Sequence, residues 1–158
     1  MTVRERLPQS AATALDNGGG RLVRARFLIV DDSKLVRQGL RAVLQANPGW
    51  EVCGEAGDGL EGIEMFQELR PNLVIIDFQM PGINGLETAR RMMDIVPTIP
   101  IILFTQHASP QLEEHARAIG IRSVVSKTDA FPMIGIIQTL LGDTMSVDPT
   151  PVNPPNLD

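Results

Sequence analysis

Residues 27–33 read FLIVDDS, a run of four apolar, strand-forming residues followed at once by two aspartates. An apolar run ending in a polar residue recurs in LVIID at 73–77, IILFT at 101–105 and VVSK at 124–127. Continuous apolar runs, rather than alternating ones, are typical of parallel strands buried on both faces. With a weaker strand around Val52, these runs predict a sheet of five parallel strands.

The segments between the strands have the spacing of helices. Apolar residues recur at that spacing over residues 36–44, 112–119 and 133–141. Ser33 is expected to cap the first of these helices, and Gly120 and Gly142 to end the other two. Five strand–helix pairs predict an α/β fold, a doubly wound parallel sheet with five helices. Ligands bind such sheets at the carboxyl ends of the strands.

Length and composition restrict the class of protein. The chain has 158 residues, of which 43% are hydrophobic and 21% charged, so one globular domain is expected and wholesale disorder is excluded. It contains no apolar run of the roughly 18 residues that span a membrane and no secretory signal, which predicts a cytoplasmic protein. Cys53 is the single cysteine, so neither an internal disulfide nor a zinc cluster is expected.

Charge is distributed unevenly along the chain, whose net charge is −5. Residues 1–25 contain a Gly-rich segment and most of the leading arginines, and we expect a flexible leader. Residues 143–158 contain four prolines, and we expect a disordered tail. The domain between them, residues 26–142, is acidic, which argues against direct binding to nucleic acid.

Five polar residues fall at the carboxyl ends of four predicted strands: Asp31, Asp32, Asp77, Thr105 and Lys127. Converging carboxylates repel one another, by about 4 kcal/mol for a pair at roughly 4 Å and an effective dielectric near 20. A divalent cation removes that repulsion, and ligands that are all oxygen suit Mg²⁺. The lysine charge and the threonine hydroxyl suit phosphoryl oxygens. The set as a whole indicates phosphoryl transfer to Asp77.

The motifs FLIVDDS, LVIIDFQMPGINGLE, ILFT and VVSK, in this order and spacing, resemble the receiver domain of bacterial two-component response regulators. The resemblance covers residues 26–142 and implies the flavodoxin-like strand order 2-1-3-4-5. Because neither the leader nor the tail can form an output domain, we expect a stand-alone receiver of the chemotaxis-regulator kind.

The resemblance also implies the ligands of a Mg²⁺ ion. Asp32 and Asp77 would bind it directly, the backbone carbonyl of Gln79 would be a further ligand, and Asp31 would act through water. Asp77 would accept a phosphoryl group from the phosphohistidine of a sensor kinase or of a phosphotransfer protein.

The signal would then pass to other proteins. Lys127 would pair with Asp77 and later with the phosphoryl group. Thr105 would follow the phosphoryl oxygen and couple it to the face formed by the fourth helix, the fifth strand and the fifth helix. The implied partners are the kinase and a downstream protein, with a homodimer as a further candidate. The chain would catalyse only its own phosphorylation and dephosphorylation and would not otherwise be an enzyme.

Three positions depart from the family pattern. Val124 stands where the family has a Tyr or Phe that changes rotamer, and Lys127-Thr128 replaces a Lys-Pro bond that is often cis. We expect a trans bond there, because a cis bond before a residue other than proline costs about 2.5–4 kcal/mol. Gln106 replaces a small residue, and we hypothesise that it helps to set the lifetime of phosphorylated Asp77.

Two enzymatic alternatives fit the sequence less well. Residues 57–62 match GxGxxG, a dinucleotide-binding pattern, but the acids in this loop would repel a pyrophosphate, and a Gly-rich strand-to-helix turn is the simpler interpretation. An Asp-nucleophile phosphatase would need an acid two residues after Asp77, where this chain has Gln79.

A third alternative is an interaction module that keeps the receiver fold and acts without phosphorylation. Val124 and Gln106 favour it slightly.

Overall fold

Strands and helices alternate strictly in the computed structural model, which describes residues 22–145. The five strands are β1 (Ala25–Val30), β2 (Trp50–Ala56), β3 (Leu73–Ile76), β4 (Ile101–Thr105) and β5 (Ser123–Ser126). The five helices are α1 (Lys34–Gln45), α2 (Gly59–Leu69), α3 (Gly85–Ile95), α4 (Pro110–Ile119) and α5 (Met133–Met145). The predicted α/β fold is confirmed. The predicted leader and tail lie almost wholly outside the described residues and stay predictions.

All neighbouring strands are parallel, and their order in the sheet is β2-β1-β3-β4-β5. This is the order 2-1-3-4-5 implied by the resemblance, which is therefore confirmed. From β1 the chain first builds outward to β2, then crosses back to β3 and continues to β5. The direction reverses between β1 and β3, so the crevice at their carboxyl ends is the topological switch point, where such folds bind ligands.

The core consists of two layers, one on each face of the sheet. Along β1, Phe27 and Ile29 point to one face and pack with α1 and α5, while Leu28 and Val30 point to the other and pack with α2, α3 and α4. The Phe27 ring contacts Trp50, with ring centroids 5.1 Å apart. Because helices cover both faces, the central strands are apolar at every position except Arg26 of β1 and the terminal Thr105 of β4, which is why their runs do not alternate.

Side chains cap the first four helices. Each cap accepts a hydrogen bond from a backbone N–H in the first turn, and the four residues are Ser33, Asp58, Asn84 and Ser109. Gly120 ends α4 with a φ of 117°, as predicted. The expectation that Gly142 ends the last helix is wrong, since α5 continues to Met145. None of the helices within residues 22–145 has the length and apolarity to cross a bilayer.

The GxGxxG segment forms the turn from β2 into α2. Gly57 N–H donates to Glu61 Oε1 at 2.8 Å, and Glu61 N–H donates to Asp58 Oδ1 at 2.9 Å. This pair resembles a capping box, except that Glu61 accepts from the N–H of Gly57, the residue before the N-cap Asp58. The amides that would cradle a pyrophosphate are thus already bonded to carboxylates of the chain, as expected of a structural turn.

Truncating the Phe66 side chain should destabilise the fold. Phe66 on α2 is 1% exposed and lies in the layer under α2, α3 and α4. We expect Phe66→Ala to lower the free energy of unfolding by about 3–5 kcal/mol, measured by urea denaturation. Leu60→Ala is the matched control on the same helix, because Leu60 is 60% exposed, and should change it by less than about 0.5 kcal/mol. Equal losses in the two variants would contradict the described packing.

Candidate functional site

The sheet register brings the predicted site residues to one edge. Val30 of β1 is paired with Ile76 of β3, so the next residues, Asp31 and Asp77, emerge side by side. Thr105 ends β4 opposite Ser126 of β5, which puts Lys127 beside it, and Lys127 N–H donates to the Thr105 carbonyl at 2.7 Å. Residues that are far apart in the sequence thus meet at the switch point.

The three aspartates form one cluster. Carboxylate oxygens of Asp31, Asp32 and Asp77 lie within 4.8 Å of one another. Asp31 and Asp77 are buried, whereas Asp32 is exposed, so the cluster opens to solvent on the side of Asp32. Lys127 Nζ lies 2.8 Å from Asp31 Oδ2 and 3.3 Å from Asp77 Oδ1. The structure therefore brings together all three predicted aspartates and the predicted lysine.

The charges in this cluster do not balance, since three carboxylates surround one ammonium group. Burial raises the pKa of Asp77 above its usual value, the charge of Asp31 adds to that effect, and Lys127 opposes it. Asp31 Oδ2 is buried and forms an ion pair with Lys127. It accepts no hydrogen bond of good geometry from the described residues. Oxygen ligands, excess negative charge and a buried acceptor with unused capacity fit a hard divalent cation such as Mg²⁺.

Thr105 presents a hydroxyl at the same edge. Its side chain is buried, and Oγ1 accepts a hydrogen bond from His107 N–H at 3.4 Å. Because the oxygen is the acceptor in that bond, the hydroxyl hydrogen can still be donated to another group. This is the capacity that a phosphoryl oxygen would require.

The remaining predicted positions lie around the cluster. Gln79 is exposed in the loop after β3. Gln106 is exposed and lines, with Lys127, a cavity of about 590 Å³ between α1 and the start of α5. Val124 of β5 is partly buried and packs against the layer under α4. The roles assigned to these residues stay predictions.

The turn after Lys127 has its own support. The Lys127–Thr128 bond is trans, like every peptide bond in residues 22–145, as expected. Ser126 Oγ accepts the Thr128 N–H at 3.1 Å and lies 2.8 Å from the Thr128 hydroxyl. A side-chain turn thus orders the segment in the place of the family's proline.

Sequence reasoning missed two residues next to the cluster, Arg37 and Glu55. Arg37 Nη1 donates to the backbone carbonyl of Asp31 at 2.7 Å, and its Nε donates to Glu55 Oε1 at 3.0 Å. Arg41 Nε donates to Glu55 Oε2 at 2.7 Å. One sequence signal could have pointed to Arg37: it is a basic residue near the start of α1, where the helix dipole favours acids. Both carboxylate oxygens of Glu55 are thus paired with arginines.

Fold and site together define a class of protein: a doubly wound α/β domain with a cluster of three aspartates and a lysine at its switch point. Residues 27–134 match the model of the response regulator receiver domain. The chain belongs to this family, as the motifs indicated.

Known proteins agree with this assignment. The structure resembles a two-component response regulator of the LuxR family from Aurantimonas sp. (TM-score 0.70, 31% identity, covering 75% of this chain and 86% of that one). It also resembles chemotaxis protein CheY4 of Vibrio cholerae (TM-score 0.69, 29% identity, covering 75% and 100%).

Curated relatives are longer than the matched region. One is a protein-glutamate methylesterase/protein-glutamine glutaminase of Pyrococcus abyssi, 40% identical over 60% of this chain and 25% of the relative. Another is the transcriptional activator protein ExaE of Pseudomonas putida, 38% identical over 66% of this chain and 49% of the relative. The chain spans a quarter to a half of these relatives, so the activities in their names belong to the whole relatives.

Gly85 should be essential to the position of Asp77. A Cβ at Gly85 would collide with the Asp77 carbonyl oxygen and lie 2.9 Å from Phe78 Cα, and its N–H donates to the Phe78 carbonyl at 2.7 Å. We expect Gly85→Ala to destabilise the protein by about 1–3 kcal/mol in urea denaturation, because backbone atoms must shift. Gly135→Ala in α5 is the control, since no atom lies within 4 Å of the added Cβ, and should stabilise by about 0.5–1 kcal/mol. A neutral Gly85→Ala would contradict this close approach.

The pairing of Glu55 predicts a dependence of stability on pH. Burial raises the pKa of Glu55, but hydrogen bonds and charges of Arg41 and Arg37 outweigh it and hold that pKa below 4.5. A carboxyl with a lowered folded pKa stabilises above its unfolded pKa, and this stabilisation is lost as pH falls through the folded value. Glu55→Gln should therefore cost about 1 kcal/mol at pH 7 and progressively less as the pH falls through the lowered folded pKa of Glu55, measured by urea unfolding. Exposed Glu68→Gln is the control and should show no such trend; a pH-independent loss for Glu55→Gln would refute the pairing.

Proposed function

We propose that this receiver domain accepts a phosphoryl group on Asp77 in a Mg²⁺-dependent reaction and signals by contact with other proteins. The observation that carries the proposal is the double contact of Lys127 Nζ, 2.8 Å from Asp31 and 3.3 Å from Asp77, two buried carboxylates of the acidic cluster. Such a cluster destabilises a fold, because like charges repel. A role in phosphoryl transfer explains why the chain keeps three carboxylates together.

The donor we propose is the phosphohistidine of a sensor kinase or phosphotransfer protein, and we expect the reaction to take place in the cytoplasm. One oxygen of Asp77 forms a bond to phosphorus while the bond from phosphorus to the donor's imidazole nitrogen breaks, and that nitrogen keeps the electron pair. Asp77 can act in this way because its other oxygen, Oδ1, is oriented by Lys127. The protein turns over no separate substrate.

Three residues would hold the Mg²⁺ ion directly: Asp32, Asp77 and the backbone carbonyl of Gln79, with Asp31 acting through water. Bound there, the ion would neutralise charge on the carboxylates and on the phosphoryl oxygens. Asp31 meanwhile keeps Lys127 in the cluster through their 2.8 Å ion pair. Because Asp32 is exposed, water and the ion would enter the cluster from the side of Asp32.

Lys127 and Thr105 receive the new charge. Lys127 transfers its ion pair from Asp77 to a phosphoryl oxygen, and the hydroxyl of Thr105 donates to another. Movement of Thr105 toward the phosphoryl group shifts the population of conformers of the α4–β5–α5 face, which a downstream protein or a second copy of the domain reads. Contacts between proteins, rather than with DNA, fit the acidic character of the domain.

A second candidate function is an interaction module that needs no phosphorylation. Val124 favours it, because the side chain on β5 that should report the state of the site has no ring to move between buried and exposed rotamers.

Mass spectrometry distinguishes the two functions. After incubation with acetyl phosphate and Mg²⁺, the intact protein should gain the mass of one phosphoryl group, because Asp77 accepts it. Asp77→Asn should abolish the gain, and EDTA should prevent it in the wild type. Asp94→Asn is the matched control, an exposed α3 carboxylate outside the cluster, and should be labelled like the wild type.

Two outcomes would contradict the proposal. Absence of the adduct on wild type, under conditions that label another receiver, would favour the phosphorylation-independent module. Labelling that survives in Asp77→Asn would move the acceptor to another residue.

A further inference from the structure

The side chain of Arg37 joins three parts of the molecule. It starts on α1, reaches Glu55 on β2 through Nε at 3.0 Å, and reaches the carbonyl of Asp31 through Nη1 at 2.7 Å. Its side chain is only 18% exposed, and that of Glu55 is 21% exposed. A guanidinium can make both bonds at once because its donors form a rigid planar fork.

The carbonyl that Arg37 binds belongs to the peptide group between Asp31 and Asp32. Because that group is planar, the direction of the carbonyl sets the orientation of the Asp32 backbone as well. The other hydrogen bonds of this turn hold Asp31: its N–H donates to the Ala56 carbonyl at 3.0 Å, and its Oδ1 accepts from Ser33 N–H at 2.9 Å. The Arg37 bond is therefore the side-chain contact that orients the peptide leading into Asp32.

The neighbouring arginine does not make this contact. Arg41 binds the other oxygen of Glu55 at 2.7 Å and also Gln45 Oε1 at 3.4 Å, one helical turn away from the cluster. The two arginines thus share one carboxylate partner and the same helix. They differ in that Arg37 alone contacts the acidic turn, which makes Arg41 a matched control.

We propose that Arg37 is a positioning residue for the cation site: braced by Glu55, it holds the Asp31–Asp32 peptide so that both carboxylates face the same ion. This inference rests on the proposed function in that it takes the acidic cluster for the Mg²⁺ site. Residues that orient ligands without touching the metal change its affinity by about 10–100-fold when they are removed.

The test compares Arg37→Ala with Arg41→Ala in the full chain. Mg²⁺ affinity is measured directly by calorimetry with MgCl₂, and the rate of phosphorylation by acetyl phosphate is measured as a function of MgCl₂ concentration. For Arg37→Ala we expect an affinity and a half-saturating concentration about tenfold weaker, with the rate at saturating Mg²⁺ within about twofold of wild type. For Arg41→Ala we expect both within about twofold of wild type.

The split between half-saturation and maximal rate separates positioning from simple damage to the fold. A variant that is partly unfolded loses amplitude at every Mg²⁺ concentration, whereas a misplaced ligand is rescued by more ion. Melting temperatures without Mg²⁺ should fall in both variants, and further in Arg37→Ala, because Arg37 is more buried and also loses its bond to the Asp31 carbonyl.

The outcomes also separate this inference from the proposed function. Equal Mg²⁺ affinities in Arg37→Ala and Arg41→Ala, or a loss of maximal rate alone, would overturn the positioning role. Absence of Mg²⁺ binding by the wild type would overturn it too. If calorimetry shows the expected difference but no phosphoryl adduct forms on any variant, the positioning role stands and the proposed function fails.

Discussion

The contact of one ammonium group with two buried carboxylates is the interaction on which the rest of the site depends. Lys127 Nζ lies between Asp31 and Asp77, which without it would be two negative charges side by side in a region largely closed to water. The lysine also approaches the face of the Phe104 ring, 5.8 Å from its centroid, so the charge is held from the apolar side as well. One positive charge cannot balance three carboxylates, and the remaining negative charge is what would attract a cation.

This imbalance is tolerated because the surrounding framework is rigid. The strands that carry the aspartates are fully buried between two helical layers, and Asp77 N–H donates to the Val30 carbonyl at 2.9 Å, continuing the β1–β3 ladder into the site. Gly85 lets α3 start against the backbone of Asp77. Core packing therefore provides the stability that the charged edge does not, as is common where a functional site is unfavourable for the fold.

Much of the site could be predicted because its residues lie at the carboxyl ends of predicted strands. Asp31, Asp77, Thr105 and Lys127 each come at the end of an apolar run, and parallel strands must bring such ends to one edge. Arg37 and Glu55 could not be found in the same way. Their pairing depends on which face of α1 lies over β2 and on the reach of long side chains, and both residues are compatible with an ordinary solvated surface when only the sequence is considered.

The end of the last helix shows the same limit on a smaller scale. Gly142 is of the residue type that commonly ends helices, but α5 continues to Met145. A glycine ends a helix only where the chain turns; inside a helix it is tolerated at a cost of about 1 kcal/mol.

The sequence by itself determined the fold class, the strand order through its family motifs, and the identities of the charged residues at the strand ends, since these depend on local hydrophobic pattern and on the geometry of parallel sheets. Only the tertiary structure decided how those charges are shared. It assigned Lys127 to two carboxylates at once, left one buried oxygen of Asp31 without a hydrogen bond, and connected the acidic turn through Arg37 to β2. Distances of a few ångströms between residues far apart in the chain control these interactions, and packing sets such distances.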